Sequence, residues 1–254
     1  MLLFESTSDW IVALGLTMLH SLWVGFLLLG ASAGLNAMNR HGSSRSRYRL
    51  NLAAFFTLAI LSVLIFIRLY EPVQHLEVRS VASRGFAFIP GGISDQRSWL
   101  ETGSYLVAIF YFAGVLLHSL HLLGSYGKIQ KYRRKGERVP EPWDIYFEQL
   151  KRKLRTGHRI RLLGSSGVTS PMLVGILKPV IMVPLSMFTM LPVSQVESIL
   201  SHELYHFKRY DHLVNLLQAV VEVILFYHPA VHILSARIRR EREICCDEAV
   251  VSSG

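Results

Sequence analysis

Three stretches of this chain are too long and too apolar for the interior of an ordinary soluble domain, and they limit the fold before anything else does. Ile11 to Leu35 is a run with no charge. Leu52 to Ile67 is a second, extended by Leu69 and Tyr70. Tyr105 to Leu123 is a third, whose only ionisable side chains besides tyrosine are His118 and His121. A helix that crosses a bilayer needs roughly 20 apolar residues, and each run has that length or nearly so. The composition agrees: 51% of residues are hydrophobic and only 18% are charged, below the quarter or so typical of soluble domains. The first run is too long for the apolar core of a secretory signal, has acidic flanks at Glu5 and Asp9, and is followed by a second span. It is therefore read as a membrane helix.

Charge orients the spans. Arg40, Arg45, Arg47 and Arg49 lie between the first and second with no acid among them, and Lys128, Lys131, Arg133, Arg134 and Lys135 follow the third. The intervening segment is mixed, with Glu71, Glu77, Asp95 and Glu101 against Arg79, Arg84 and Arg97. The positive-inside rule puts both basic clusters in the cytoplasm, the N-terminus outside, and the chain after Lys128 inside. The net charge of +9 is accounted for by these clusters and by contact with anionic lipid, and no nucleic-acid-binding motif accompanies it. The expected organisation is a three-span region over 1–127, with spans at about 11–35, 50–70 and 104–123, and a cytoplasmic domain over 128–254.

Within that second part, His202-Glu203-Leu204-Tyr205-His206 is an H-E-x-x-H pattern. On a helix, residues four apart share a face, so both imidazoles can point at one metal ion. Glu203 sits one step round, within reach of a water on that ion. Zinc lowers the pKa of a bound water to about 7, and a nearby carboxylate then takes its proton. This is the machinery of a zinc peptidase. Ser194 with Glu197 reads as a capping box, so a helix is expected to start at Ser194. Val196, Ile199, Leu200, Leu204 and Phe207 form its apolar stripe.

A catalytic zinc takes three protein ligands and keeps one position open. The candidate third ligand is Glu243, in the helical stretch Arg237 to Glu248. Asp247, four residues on, shares its face and is placed to bond the free ring nitrogen of a ligand histidine. Glu241 is the rival ligand, facing away when Glu243 faces in. Asp211, just after the motif, is a further candidate to support a histidine. Cys245 and Cys246 are the only cysteines. Neighbours in sequence are poorly placed for a relaxed disulfide, and they read as small buried side chains, with zinc ligation as the alternative. His20, His75, His118, His121, His158 and His212 lack ligand-like spacing, while His228 and His232 are candidates to meet a substrate oxyanion.

The rest of the domain reads as a small α+β unit. Trp143 to Leu154 is an amphipathic helix after a hinge at Pro140-Glu141-Pro142. Arg159 to Leu163 alternates like a strand, and Gly164 to Gly167 is a turn. Ser170–Gly175 and Pro179–Pro184 read as two strands joined at Ile176-Leu177-Lys178, their prolines favouring edge positions. An edge strand near the zinc would take an extended substrate by strand addition. Leu213 to Tyr227 is apolar but short, and His228-Pro229 breaks it. A helical hairpin over 213–235 that dips towards the membrane is expected, because a full crossing would separate Glu243 from the histidines.

These motifs together resemble the BlaR/MecR family of integral-membrane zinc peptidases. The stretches that carry the resemblance are Leu19-His20-Ser21-Leu22-Trp23, Arg47-Tyr48-Arg49, Ser170-Pro171-Met172 with Lys178-Pro179, His202 to His206 with Arg209 and Asp211, Phe226-Tyr227-His228-Pro229, and Arg240 to Glu243 with Cys246-Asp247. The resemblance implies a mainly α membrane protein with three N-terminal transmembrane helices and a cytoplasmic α+β gluzincin-type zinc peptidase domain with a small sheet. It implies Zn2+ held by His202, His206 and Glu243, with Glu203 as general base. It also implies a place in the bacterial inner membrane and a role as antirepressor. In the best-known members an outer domain detects β-lactam antibiotics, and the inner protease triggers loss of a transcriptional repressor, often after cutting itself.

The implied partners are membrane lipid, a cytoplasmic protein substrate (a repressor or the chain itself) and a second copy in a homodimer, with no direct nucleic acid. Those members continue into a further span and an outer penicillin-binding domain. This sequence runs to Val251-Ser252-Ser253-Gly254 with neither, so no outer Ser-x-x-Lys sensor could be housed, which reads as a fragment or as a relative that senses something else. Two other readings compete: a housekeeping HtpX-type quality-control protease, and a non-catalytic membrane receptor with a structural zinc.

Overall fold

The computed structural model describes residues 2–39, 42–75, 93–156, 160–175 and 178–253. The acids and bases expected between the second and third spans fall partly outside these residues, as do His158, Arg159 and the turn residues Ile176 and Leu177. The fold is the expected one: mainly helical, with three candidate membrane helices at the N-terminus and one small mixed sheet. The chain divides into two compact units, one of Met1–Gly42, Ser46–His118 and Val221–Ile238, the other of Ser43–Arg45, Ser119–Val220 and Arg239–Gly254.

The first unit is built on α1 (Leu2–Met38), α2 (Ser44–His75) and the first part of α3 (Ile93–Arg134). The segments long and apolar enough to cross a membrane are Trp10–Met38, Ser44–Tyr70 and Tyr105–Arg134. Each is longer than the run of apolar residues that marked it. The basic residues at the ends of the second and third continue the same helices, because charge at a helix end does not stop the hydrogen-bond ladder. Inside the unit several polar side chains find partners locally: Thr17 and Ser62 donate to backbone carbonyls of Ala13 and Leu58, and Asn36 donates to Asn51, although Asn36 Oδ1 is buried without a partner. A hydrocarbon surround leaves no water to do this.

The turn Phe226-Tyr227-His228-Pro229 is part of this unit, between α7 (Asp211–Ile224) and α8 (Pro229–Ser253). Pro229 opens α8, where its missing N–H costs nothing. His228 is fully buried, its Nε2 2.8 Å from the Ser21 carbonyl while its Nδ1 accepts from the Ala230 N–H. Tyr227 and Ser21 share a hydrogen bond between hydroxyls of 3.0 Å. Gly25 and Gly114 make room for the turn. A Cβ on Gly25 would strike the His228 ring, and one on Gly114 would strike Phe226.

In the second unit, α4 (Glu141–Leu154) is the expected amphipathic helix and buries Phe147, Leu150 and Leu154. The sheet is β1 (Arg161–Ser165), β2 (Met172–Val174) and β3 (Val180–Pro184), in the order β1-β3-β2. β3 runs parallel to β1 and antiparallel to β2, with Leu162 opposite Ile181 and Leu173 opposite Ile181 on the other side. Two expectations change. Gly164 and Ser165 belong to β1 rather than to a turn, and the strand bounded by prolines is the fully buried centre of the sheet. Pro179 precedes β3 and Pro184 ends it, so neither removes a ladder hydrogen bond from its middle. The edge strands are β1, which carries one isolated bridge from Gly164 to Glu137, and β2.

After β3 comes a single turn, α5 (Met187–Met190), and then α6 (Val193–Lys208). The capping box is not formed. Pro192, with extended backbone (φ −60°, ψ 151°), is the residue at which the helix begins, so Ser194 lies inside the first turn. Glu197 instead accepts a 2.7 Å hydrogen bond from the Tyr146 hydroxyl on α4. Val196, Leu200 and Leu204 are fully buried and join Phe147, Leu150, Ile160, Ile181 and Val183 in one core, with Ile199 and Phe207 packed at its side. That core fixes the rotation of α6, and so fixes which way His202 and His206 face.

Candidate metal centre

One turn of α6 separates His202 from His206, and their rings meet edge to face with centroids 4.7 Å apart. The two Nε2 atoms are 2.9 Å from each other. Each lies 3.4 Å from the same oxygen of Glu243, Oε2, on α8. Glu243 rather than Glu241 is the α8 acid that faces the imidazoles. The outer ring nitrogens are also engaged. His202 Nδ1 is 3.0 Å from Asp247 Oδ1, and His206 Nδ1 is 2.8 Å from Asp211 Oδ2. The structure therefore brings together six of the residues singled out from sequence: His202, Glu203, His206, Asp211, Glu243 and Asp247.

The chemistry of this donor set fits a divalent cation. Each Nδ1–H donates to a carboxylate, which leaves both Nε2 lone pairs and one carboxylate oxygen turned to a common point. Three acceptors converging with no donor repel one another unless a proton or a cation stands between them. The three ligand atoms lie within 4.8 Å of one another, a spacing at which one ion can touch all of them. The ionisation of the groups points the same way. Burial disfavours charge on His206, yet its bonds to Asp211, Cys246 and Glu243 outweigh this and its pKa is pushed up to about 12. With protons rather than a cation on the Nε2 atoms, hydrogen bonds from His202 and His206 hold the Glu243 carboxyl well below the usual carboxylate range. The centre is a place where positive charge is strongly favoured.

Glu203 is buried beside the two histidines, and burial raises its pKa above that of a free carboxylate. It lines a cavity of about 250 Å³ with His202, His206, Glu243 and Leu173 of β2. A carboxylate whose proton affinity is raised by burial suits general base work near neutral pH. Asp211 reaches back to His206 because α6 ends in a tight break. Tyr210 takes left-handed backbone (φ 59°), and α7 starts at the next residue. Asp211 is almost fully buried, whereas the Asp247 side chain is 69% exposed.

Other sequence candidates fall elsewhere. His228 is held by Ser21 and Ala230, and His232 Nε2 is bonded to the Phe226 carbonyl 2.7 Å away, so both ring systems are committed within the first unit. The oxyanion role expected of them is not supported by these contacts. Cys245 and Cys246 are buried and form no disulfide. Cys246 Sγ lies 3.4 Å from His206 Nδ1, on the side of the ring occupied by Asp211, away from the point where the Nε2 atoms meet. Sequence reasoning passed over Arg242 and His212, which line the same cavity. Arg242 precedes Glu243 in sequence and His212 follows Asp211, so adjacency to two recognised residues was the available signal.

The family described as "BlaR1 peptidase M56" matches residues 54–253. The chain belongs to this family, which is a metallopeptidase family. The chain is similar to the "Regulatory protein BlaR1" of Bacillus licheniformis, 29% identical over 158 residues, which is 61% of this chain and 25% of that protein. It is also similar to the "Methicillin resistance mecR1 protein" of Staphylococcus aureus (strain Mu50 / ATCC 700699), 31% identical over 87 residues, 34% of this chain and 15% of that protein. A protein of the same description from Staphylococcus epidermidis matches at the same level. The chain thus spans a quarter or less of the length of these relatives. Family, membrane helices and relatives together define a membrane-associated peptidase of a signal-transducing family.

Proposed function

We propose that this chain is a membrane-embedded zinc endopeptidase that cuts cytoplasmic polypeptide, a transcriptional repressor or the chain itself, to pass a signal. The observation that carries this reading is the convergence of His202 Nε2, His206 Nε2 and Glu243 Oε2 on one point beside the buried carboxylate of Glu203. His202, His206 and Glu243 hold the zinc, and Asp247 and Asp211 fix the ring tautomers by accepting the Nδ1–H of each histidine. Bound zinc supplies Lewis-acid activation of a water and of a carbonyl oxygen.

Glu203 takes the proton of the attacking water and returns it to the leaving amine. Edge strand β2 is paired with β3 on one side only among the described residues, and Pro171 and Leu173 at β2 line the cavity. An extended substrate added to β2 has its backbone beside Glu203. The basic clusters around Arg45 and Lys131 support an N-terminus outside and a catalytic domain inside the bacterial cytoplasmic membrane. The names of the relatives support a regulatory cut, in antibiotic response, rather than general protein turnover.

The test is metal analysis of the purified protein beside an autocleavage assay. Glu203→Ala retains zinc and loses cleavage, and His206→Ala loses both. Cleavage by Glu203→Ala at the parental rate removes Glu203 as the base.

A further inference from the structure

The cavity beside the histidines has a wall that the chemistry above leaves unused. The side chain of Arg242 is only 9% exposed, and its Nη1 is buried with no hydrogen-bond partner. The guanidinium is permanently charged, and a buried N–H donor left without an acceptor is costly to keep. Its ion-pair partner is Glu243, whose Oε1 is 3.8 Å from Arg242 Nε, too long for a hydrogen bond and made by Nε rather than Nη1. The other oxygen of Glu243 faces the imidazoles. Across the same cavity, His212 Nδ1 is likewise buried and unpartnered. An arginine kept for folding would have that donor paired. One that lines the cavity next to Glu203 and keeps a buried Nη1 donor without an acceptor is poised for an oxygen that a substrate brings.

We propose that Arg242 is a catalytic residue that donates a hydrogen bond to the scissile carbonyl oxygen and holds the negative charge that develops there. The inference rests on the peptidase reading of the site. As the water oxygen bonds to the carbonyl carbon, the C=O π pair moves onto the carbonyl oxygen and Glu203 takes the water's proton. When the C–N bond breaks, its electron pair goes to nitrogen, which takes the proton from Glu203, and a carboxylic acid and an amine leave. Arg242 keeps its own protons throughout. A buried cation attracts a full oxyanion far more than a neutral carbonyl, so its effect falls on the transition state rather than on substrate binding.

The experiment compares the zinc-loaded parent with Arg242→Gln and Arg242→Lys, using two probes and two controls. One probe is N-phosphoryl-leucyl-tryptophan amide, whose tetrahedral phosphoryl group carries negative charge where the oxyanion would form. The other is acetyl-leucyl-tryptophan amide, which is neutral. The controls are zinc content and Tm. The expected result is that Arg242→Gln binds the phosphoryl probe at least about 100-fold more weakly, with Arg242→Lys between. Binding of the neutral probe, zinc content and Tm stay at or above parental values, because Nη1 gives up no hydrogen bond and the pair with Glu243 is long at 3.8 Å.

Equal binding of the phosphoryl probe by parent and Arg242→Gln overturns the proposal. So does an equal loss for both probes, which would make the contact a ground-state one. Loss of zinc or a lowered Tm in Arg242→Gln also overturns it and assigns Arg242 to the support of Glu243. A parent that carries no zinc, or a zinc-loaded parent that binds neither probe, fails at the peptidase reading itself; a zinc-loaded parent that binds the neutral probe but prefers the phosphoryl probe no more than Arg242→Gln does fails at Arg242.

Discussion

The two units of this chain are specified by different physics. In the first, fit is set by size. Gly25 and Gly114 stand where a single methyl group would collide with His228 or Phe226, and the few polar groups turn inward to bond one another. In the second, the decisive contacts are charged. Two imidazoles are each held between carboxylates, and a glutamate is buried next to them. Membrane helices gain little from burying apolar surface against each other, since lipid is as apolar as they are, so close packing must do the work. A hydrolytic site instead needs charge held in place against its own repulsion, at a cost to stability. Mutations in the two units should therefore fail in opposite ways, by unfolding in the first and by loss of chemistry without unfolding in the second.

The largest expected effect is on chemistry alone. Glu203→Gln keeps the size of the side chain and removes the base. Cleavage should fall by about a thousand-fold with zinc content unchanged. Because the lost charge is buried, Tm should hold or rise. A Tm that drops together with activity would show that Glu203 also serves the fold, and the contrast between the units would blur.

A second expectation compares the two arms of the centre. Asp211→Asn should weaken zinc binding by about 10–100-fold, measured by competition with a chelator. Asp247→Asn should sit at the low end of that range. The Asp211 side chain is 4% exposed and that of Asp247 is 69% exposed, so water can replace only the second. Equal losses would mean that burial does not govern how a carboxylate supports its histidine here.

The counterpart in the first unit is Gly25→Val. Overpacking against a buried, hydrogen-bonded ring costs about 1–3 kcal/mol, read as a lowered Tm in detergent, with the affinity for zinc unchanged. A substitution that leaves Tm unchanged would show that the turn at His228 can shift freely, and that size does not set the fit.

The same contrast explains what the sequence could disclose. The spans were legible as runs of apolar residues, since hydropathy is a bulk property. His202, His206, Glu243 and Asp247 were legible because helical periodicity alone puts them on shared faces. The partners of Gly25 and Gly114 were not, since nothing in the order of residues says which large side chain will arrive opposite a glycine. Arg242 was hidden for a related reason. Periodicity sets it one step from Glu243, but whether that step leads into the cavity or away depends on how α8 meets α6. The capping box at Ser194 misled because Pro192 had already fixed where the helix begins and Tyr146 claimed Glu197. The central place of β3 was obscured by its prolines, which mark its ends and leave its middle free to pair.

The smallest effect tests the backbone that joins the two histidine arms. Tyr210 holds left-handed backbone at φ 59° and is exposed, so its side chain contributes little burial. A side chain there clashes with its own carbonyl at a cost of about 1–2 kcal/mol, which glycine does not incur. Glycine is also freer in the unfolded chain, which takes back part of the gain. Tyr210→Gly should therefore raise stability by about 0.5–1 kcal/mol, while Tyr210→Ala, which keeps the Cβ, should not. Asp211 would still fold back onto His206, so zinc affinity should match the parent in both. If Tyr210→Gly loosens zinc while raising Tm, the strain at residue 210 is itself what presses Asp211 against the imidazole, and a rigid turn belongs to the metal centre rather than to the fold.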